Sequence, residues 1–260
     1  MRLLVSVANG ADAAAARDGG ADLIDAKDPS RGALGALSPG TFRHIHLVVA
    51  GTRPVTAALG DAADEDAIEG LAFEYAAIGG TFVKVGFAGI TSAARAASLT
   101  AAAVRGAREG SVSRCGVVAV AYADAARVAG FAPDALVDVA ARAGAMGVLL
   151  DTADKSGPGL SGLMGTRALS AWVAHARQAG LLVALAGRLT LDDLPWVGDC
   201  GADIAGVRGA ACNAGRTGRV TTGKVRLLRA RIDAAVEATM LLSVPQIEIP
   251  ARLKTRRYKT

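Results

Sequence analysis

Two residue types in one short stretch, a carboxylate and an amine, could carry acid, base and nucleophile chemistry. "LIDAKDPSRGALGA", residues 23–36, reads as a short apolar strand with Asp25 and Lys27 near its end, followed by a Gly-rich loop. Asp25 and Lys27 are two positions apart, so their side chains share one face of a strand. A second lysine, Lys84, lies in "FVKVGF", and a carboxylate and amine recur as Asp151 and Lys155 in "LLDTADKSG". The lysines are selective placements: only six of the 29 basic residues are lysine, and three of those six fall in or just after these strands. Arginine holds its proton near neutral pH, whereas an amine can release it and attack a carbonyl carbon. Several cations sharing one pocket depress at least one amine's pKa, and Asp25 and Asp151 pull the other way. A buried ion-pair network is the competing reading of the same residues. The residues alone leave open which lysine is covalent.

Such side chains need elements that aim them at one place. Apolar runs recur as "LLVSV", "LIDAK", "PVTAAL", "FVKVGF", "GVVAVAY", "GVLLDT", "LVALAG" and "IAGVRG", separated by Ala-rich stretches of helical periodicity. Eight alternating units of this kind predict a single (β/α)8 TIM barrel, an α/β fold, over residues 1–243, with 244–260 as an extension carrying a basic tail. A Gly precedes the second, fourth, sixth and eighth strands at Gly20, Gly79, Gly144 and Gly201. Five residues after each stand Asp25, Lys84, Leu149 and Gly206; seven after stand Lys27, Gly86, Asp151 and Arg208. Alternate strands of a barrel supply one interior layer, and function gathers at the C-terminal mouth. Lys27, Asp151 and Arg208 are therefore expected in the top layer, with Asp25 and Lys84 one layer below. Gly86 and Gly206 are expected to leave room for long side chains or substrate.

The loops after strands seven and eight of such barrels often bind phosphate. Here they read "AGRLT" (186–190) and "GVRGAACNAGRTGR" (206–219). Gly187, Gly209 and Ala210 let backbone N–H groups approach an anion, and Arg188 or Arg208 can add charge. The Gly-Pro-Gly segment after Lys155 is a candidate lid.

Taken together, "LLVSV", "GGADLIDAKDPSRGALGA", "PVTAALGD", "FVKVGF", "LLDTADKSG" and "DIAGVRGAAC" resemble the (5-formylfuran-3-yl)methyl phosphate synthases, also called 4-(hydroxymethyl)-2-furancarboxaldehyde-phosphate synthases, from the first strand to the eighth. The resemblance implies a TIM-barrel lyase that joins two molecules of glyceraldehyde 3-phosphate, with loss of phosphate and water. The product would be the furan precursor of methanofuran, the C1 carrier of methanogens and some methylotrophic bacteria. No metal or organic cofactor is implied. Carried over by motif, Lys27 would form the Schiff base and Lys84 would accept the proton, with Asp25, Asp151 and Lys155 completing the proton-transfer set. Other class I aldolases acting on a phosphorylated sugar would use a similar constellation.

Composition narrows the partners. The net charge of +5 resides in "ARLKTRRYKT", whose five basic residues have no acid beside them, leaving 24 basic residues against 24 acidic ones elsewhere. Such an end is expected to be solvated, and no nucleic-acid partner is expected; a non-catalytic barrel binding nucleic acid through this tail is the contrasting reading. No membrane span or signal peptide is apparent, so a cytoplasmic enzyme acting on a small phosphorylated aldehyde is expected. The sequence leaves homo-oligomer formation open. Cys115, Cys200 and Cys212 have no metal-ligand or redox spacing. His44 and His46 have no third ligand at suitable spacing, and Trp172 and Trp196 read as packing residues.

Overall fold

The computed structural model describes residues 1–111 and 114–243, with side chains through residue 237; the extension 244–260 with its basic tail lies outside the described residues. The eight expected strands are β1 (Arg2–Val7), β2 (Leu23–Ala26), β3 (Val55–Asp61), β4 (Phe82–Gly86), β5 (Gly116–Tyr122), β6 (Gly147–Asp151), β7 (Leu182–Leu185) and β8 (Ile204–Val207). All pair in parallel with their sequence neighbours, and β8 returns to β1 to close a (β/α)8 barrel. β2, β4 and β6 are buried at every position, as in a parallel sheet covered on both faces.

The helices are α1 (Gly10–Asp18), α2 (Pro39–Val49), α3 (Glu65–Ile78), α4 (Ala93–Gly110), α5 (Pro133–Arg142), α6 (Leu160–Leu163), α7 (Thr166–Gln178), α8 (Asp193–Asp199) and α9 (Thr222–Ser243). Their starts are written in the sequence: the Asn9, Ser38, Asp64 and Ser92 side chains accept from the first-turn N–H groups of α1, α2, α3 and α4. The four glycines that revealed the repeat all have left-handed backbone, at φ of 90°, 111°, 82° and 86°. Each turns the chain so that a strand starts three residues later.

Two apolar layers result. One fills the space between barrel and helices and includes Phe42, Tyr75, Leu99 and Trp172; the other fills the barrel interior with Leu4, Leu23, Ala58, Phe82, Val118, Val120, Leu149, Ala184 and Ile204. Trp172 is buried, and Trp196 packs on the outer layer with Nε1 donating to Thr166 Oγ1. His44 lies against Gly10 and His46 against Gly79, so both histidines pack α2 onto its neighbours. Among the described residues no helix is long and apolar enough to cross a membrane.

Candidate active site

The C-terminal mouth of the barrel opens into a cavity of about 550 Å³, whose lining includes Lys27, Lys84, Asp151, Lys155, Arg208 and Arg216. The register explains how they meet. Asp25 lies opposite Ser6 on β1 and Thr56 on β3, and its carboxylate accepts from both hydroxyls at 2.8 Å. Lys84 reaches the same carboxylate from β4, with Nζ 2.6 Å from Asp25 Oδ1, and both groups are buried. Asp25 is thus charge-paired and hydrogen-bonded from three sides beneath the cavity. A buried carboxylate requires such partners.

A second pair stands at the end of β6. Lys155 Nζ lies 2.6 Å from Asp151 Oδ1, which also accepts from Thr152 N–H at 2.7 Å. Burial alone pushes the Asp151 carboxyl up, but the Lys155 and Lys27 ammonium groups and these hydrogen bonds outweigh it and hold the group below the usual carboxylate range. The loop carrying Lys155 is stitched in place. Asp124 accepts from Ala153 and Asp154 N–H at 2.7 and 2.9 Å, and Leu160 N–H donates to Gly187 O at 2.9 Å. These bonds anchor both ends of the Gly-Pro-Gly segment, at Ala153 and Asp154 on one side and Leu160 on the other.

Lys27 differs from both. It is 8% exposed, lines the cavity, and among the described residues has neither an ion pair nor a side-chain hydrogen bond for its amine. Burial lowers its pKa from 10.5 to about 8; Asp151 and Asp25 oppose that shift, and Lys84 and Lys155 add to it. Of the three site lysines it is the one whose amine has no carboxylate partner among the described residues. Lys27, Lys84, Asp151 and Arg208 all line the cavity, whereas Asp25 lies beneath it.

The anion side of the mouth is built by the β7 and β8 loops. No described residue accepts from the backbone N–H groups of Gly187, Arg188, Gly209 or Ala210, and all four residues line the cavity. Gly187 has φ of 104°, and a Cβ there would stand 2.9 Å from Thr152 Cγ2. Arg188 is exposed and also left-handed, at φ of 56°. Such backbone strain in a non-glycine residue commonly accompanies a functional site.

Arg208 reaches the mouth but is occupied. Its guanidinium donates to Asp12 Oδ2 at 3.0 Å, to Ser6 O and Arg216 O at 2.8 Å, and to Gly218 O at 3.1 Å. Asp12 also accepts from Val220 and Ala8 N–H. This buried pair clasps the β8 loop to the start of α1. The space beside Gly86 is likewise filled by protein, namely Asp61, Leu34 and Tyr122, while Gly206 faces the cavity. The sequence reading passed over Arg216, Asp12 and Asp124. Asp124 sits two residues past β5, beyond the strand positions that the even-strand count reaches, and Arg216 lies nine residues past β8, where no strand register reaches.

Comparison with known proteins agrees with this architecture. A solved 3-hexulose-6-phosphate synthase superposes with a TM-score of 0.58 at 21% identity, covering 89% of this chain and 100% of that one. That likeness concerns the barrel alone. The chain is 41% identical to (5-formylfuran-3-yl)methyl phosphate synthase of Methanopyrus kandleri over 84% of its own length and 92% of the relative's. It is 37% identical to the protein of the same name from Methanothermobacter thermautotrophicus over 90% of its own length and 100% of the relative's. A family model described as 4-HFC-P synthase matches residues 3–229. The match runs from β1 through β8 into α9 and takes in every lysine and carboxylate at the mouth, so the chain belongs to the 4-HFC-P synthase family.

Proposed function

We propose that this protein is a cytoplasmic lyase of methanofuran biosynthesis. It condenses two molecules of glyceraldehyde 3-phosphate to (5-formylfuran-3-yl)methyl phosphate through an imine on Lys27. The observation that carries this reading is the unpaired Lys27 amine, with its pKa near 8, facing a cavity in which every other site lysine is tied to a carboxylate. The names of the relatives support the product, and the free N–H groups of the β7 and β8 loops support a phosphorylated substrate.

The chemistry follows from those groups. Neutral Lys27 adds to the carbonyl of one triose and loses water to give an imine, which acidifies the adjacent carbon. Removal of that proton gives an enamine able to expel phosphate or attack the second aldehyde. Ring closure by a hydroxyl and further loss of water complete the furan, so one phosphate and two waters leave for each product. Each departing oxygen needs an acid and each carbon proton a base. Lys84 and Lys155, each against a carboxylate, supply both. Lys84 is already paired with Asp25, so its role as acceptor follows delivery of its own proton to a departing oxygen. Gly187, Arg188, Gly209 and Ala210 bind one phosphate through backbone N–H, and Arg208, its charge met by Asp12, acts by holding the β8 loop that carries Gly209 and Ala210.

Borohydride trapping with glyceraldehyde 3-phosphate, read by peptide mass analysis, tests the assignment. The wild type should carry a triose adduct on the Lys27 peptide and form the furan chromophore, and Lys27→Arg should do neither. An adduct on Lys84 or Lys155 would overturn the assignment of roles. An adduct without furan would leave an ordinary class I aldolase, and no adduct would leave an ion-pair network with no imine chemistry.

A further inference from the structure

When the enamine attacks the second aldehyde with its own phosphate still attached, the proposed condensation holds two phosphates in one mouth at once. The N–H cradle on the β7 and β8 loops accounts for one of them. We propose that Arg216 holds the other, the phosphate of the triose attacked by the Lys27-bound enamine; this inference rests on the function proposed above.

Arg216 lines the cavity with Lys27 and Asp151 and is half-buried. Among the described residues it makes no ion pair, and the one hydrogen bond its guanidinium donates is from Nη2 to Gly32 O, at 2.8 Å. A guanidinium has five N–H donors in a planar fork, so most of this one remains available for a phosphate's oxygens. Its charged neighbours are Asp151, Arg208 and Asp28. Arg208 is neutralised by Asp12, Asp151 is paired with Lys155, and Asp28 accepts from Ser30 and forms no ion pair with Arg216, which leaves the Arg216 charge without a dedicated partner among the described residues.

The position is built rather than incidental. The loop bearing Arg216 closes through a bridge between Cys212 and Val220, through Asn213 Oδ1 accepting from Arg219 N–H at 3.1 Å, and through Lys224 Nζ donating to Cys212 O at 2.6 Å. From below, the buried Arg208 guanidinium holds the carbonyls of Arg216 and Gly218. The Arg216 side chain then leaves the β8 loop and crosses to Gly32 in the loop after β2, the strand that presents Lys27. Arg216 starts beside the cradle, with its Cβ 3.8 Å from where a Cβ on Gly209 would stand, and its guanidinium ends at Gly32 O, on the β2 side of the mouth.

Arg216→Met and Arg216→Lys separate the two sites, because trapping on Lys27 needs one triose and furan formation needs two. Arg216→Met should trap glyceraldehyde 3-phosphate on Lys27 within about twofold of wild type, while furan formation at limiting triose falls about 30-fold or more, the scale of losing a charge-assisted contact. Arg216→Lys should recover part of that loss, since it keeps the charge without the fork. Parallel loss of trapping and furan formation would overturn the assignment, as would furan formation unchanged in Arg216→Met. If Arg216→Met melts well below wild type, Arg216→Lys decides: trapping kept with a raised half-saturating triose for furan formation supports the site, and an unchanged half-saturation overturns it. Failure of the wild type itself to trap triose or form furan would instead remove the underlying function, and this site with it.

Discussion

Asp25 and Lys27 stand two residues apart on one face and meet different fates. Asp25 sits deep enough to be ringed by Ser6, Thr56 and Lys84, whereas Lys27 stands where the strand ends and space begins. Burial without a direct partner penalises the Lys27 ammonium, which is what makes a neutral amine available near physiological pH. The same penalty lowers stability. Below pH 8 the proton is held in folded and unfolded chains alike, and the folded state bears the full cost, roughly 3 kcal/mol for a pKa displaced from 10.5 to about 8. Between those values the folded state has released a proton that the unfolded state keeps, so stability rises with pH, and above 10.5 the penalty is gone. Lys27→Met should therefore be more stable than wild type at pH 7, by up to about 3 kcal/mol, with the gap closing as pH passes 10.5. Urea unfolding at pH 7 and pH 10 measures it; a less stable variant at pH 7 would show that Lys27 is well solvated or paired. Lysine scarcity made Lys27, Lys84 and Lys155 legible from the sequence. Which of them lacked a partner was not, because Asp25 stands nearest in the chain to Lys27 yet is taken by Lys84 from β4, while Asp151 is taken by Lys155.

At the level of elements, the most informative signal was the spacing from helix-ending glycine to strand. It located β2, β4, β6 and β8 and ordered their inward side chains, because a left-handed turn fixes where the strand begins and strand alternation fixes the rest. Side-chain reach was not encoded in that count. Arg208 occupies its expected position, yet Asp12 of α1 takes its charge; Gly86 occupies its own, yet the vacancy serves protein rather than ligand. A Cβ at Gly86 would fall on Asp61 Oδ1 and stand 2.6 Å from both Leu34 Cδ1 and Tyr122 OH. It would break the 2.7 Å bond from Tyr122 OH to Asp61 Oδ1 that joins β5 to the end of β3. Gly86→Ala should cost about 1–3 kcal/mol through overpacking. Denaturant unfolding checks this. If the glycine were there to admit substrate, the substitution would spare stability and reduce turnover instead.

Across the whole molecule, charge and chemistry are separate. Among the described residues at the mouth, Lys84, Lys155 and Arg208 are each paired with a carboxylate while Lys27 and Arg216 are not, and the chain apart from its final residues has equal numbers of acids and bases; the surplus of five positive charges lies in 251–260. The family match ends at residue 229, within α9, before any of those charges. Charges in water are screened beyond roughly 8 Å at physiological salt, so a basic run outside the matched family region is expected to add little to capture of a small anionic substrate. Deleting residues 252–260 should therefore leave furan formation within about twofold of wild type, with the same half-saturating triose at low and high salt. Steady-state product assays on the full chain and the truncated one decide it. A truncated chain that loses turnover only at low salt would show the tail drawing substrate to the mouth. One that keeps its turnover but no longer shifts the mobility of a nucleic-acid duplex would show a barrel whose catalysis and tail act independently, as expected for a family whose matched region stops short of that tail.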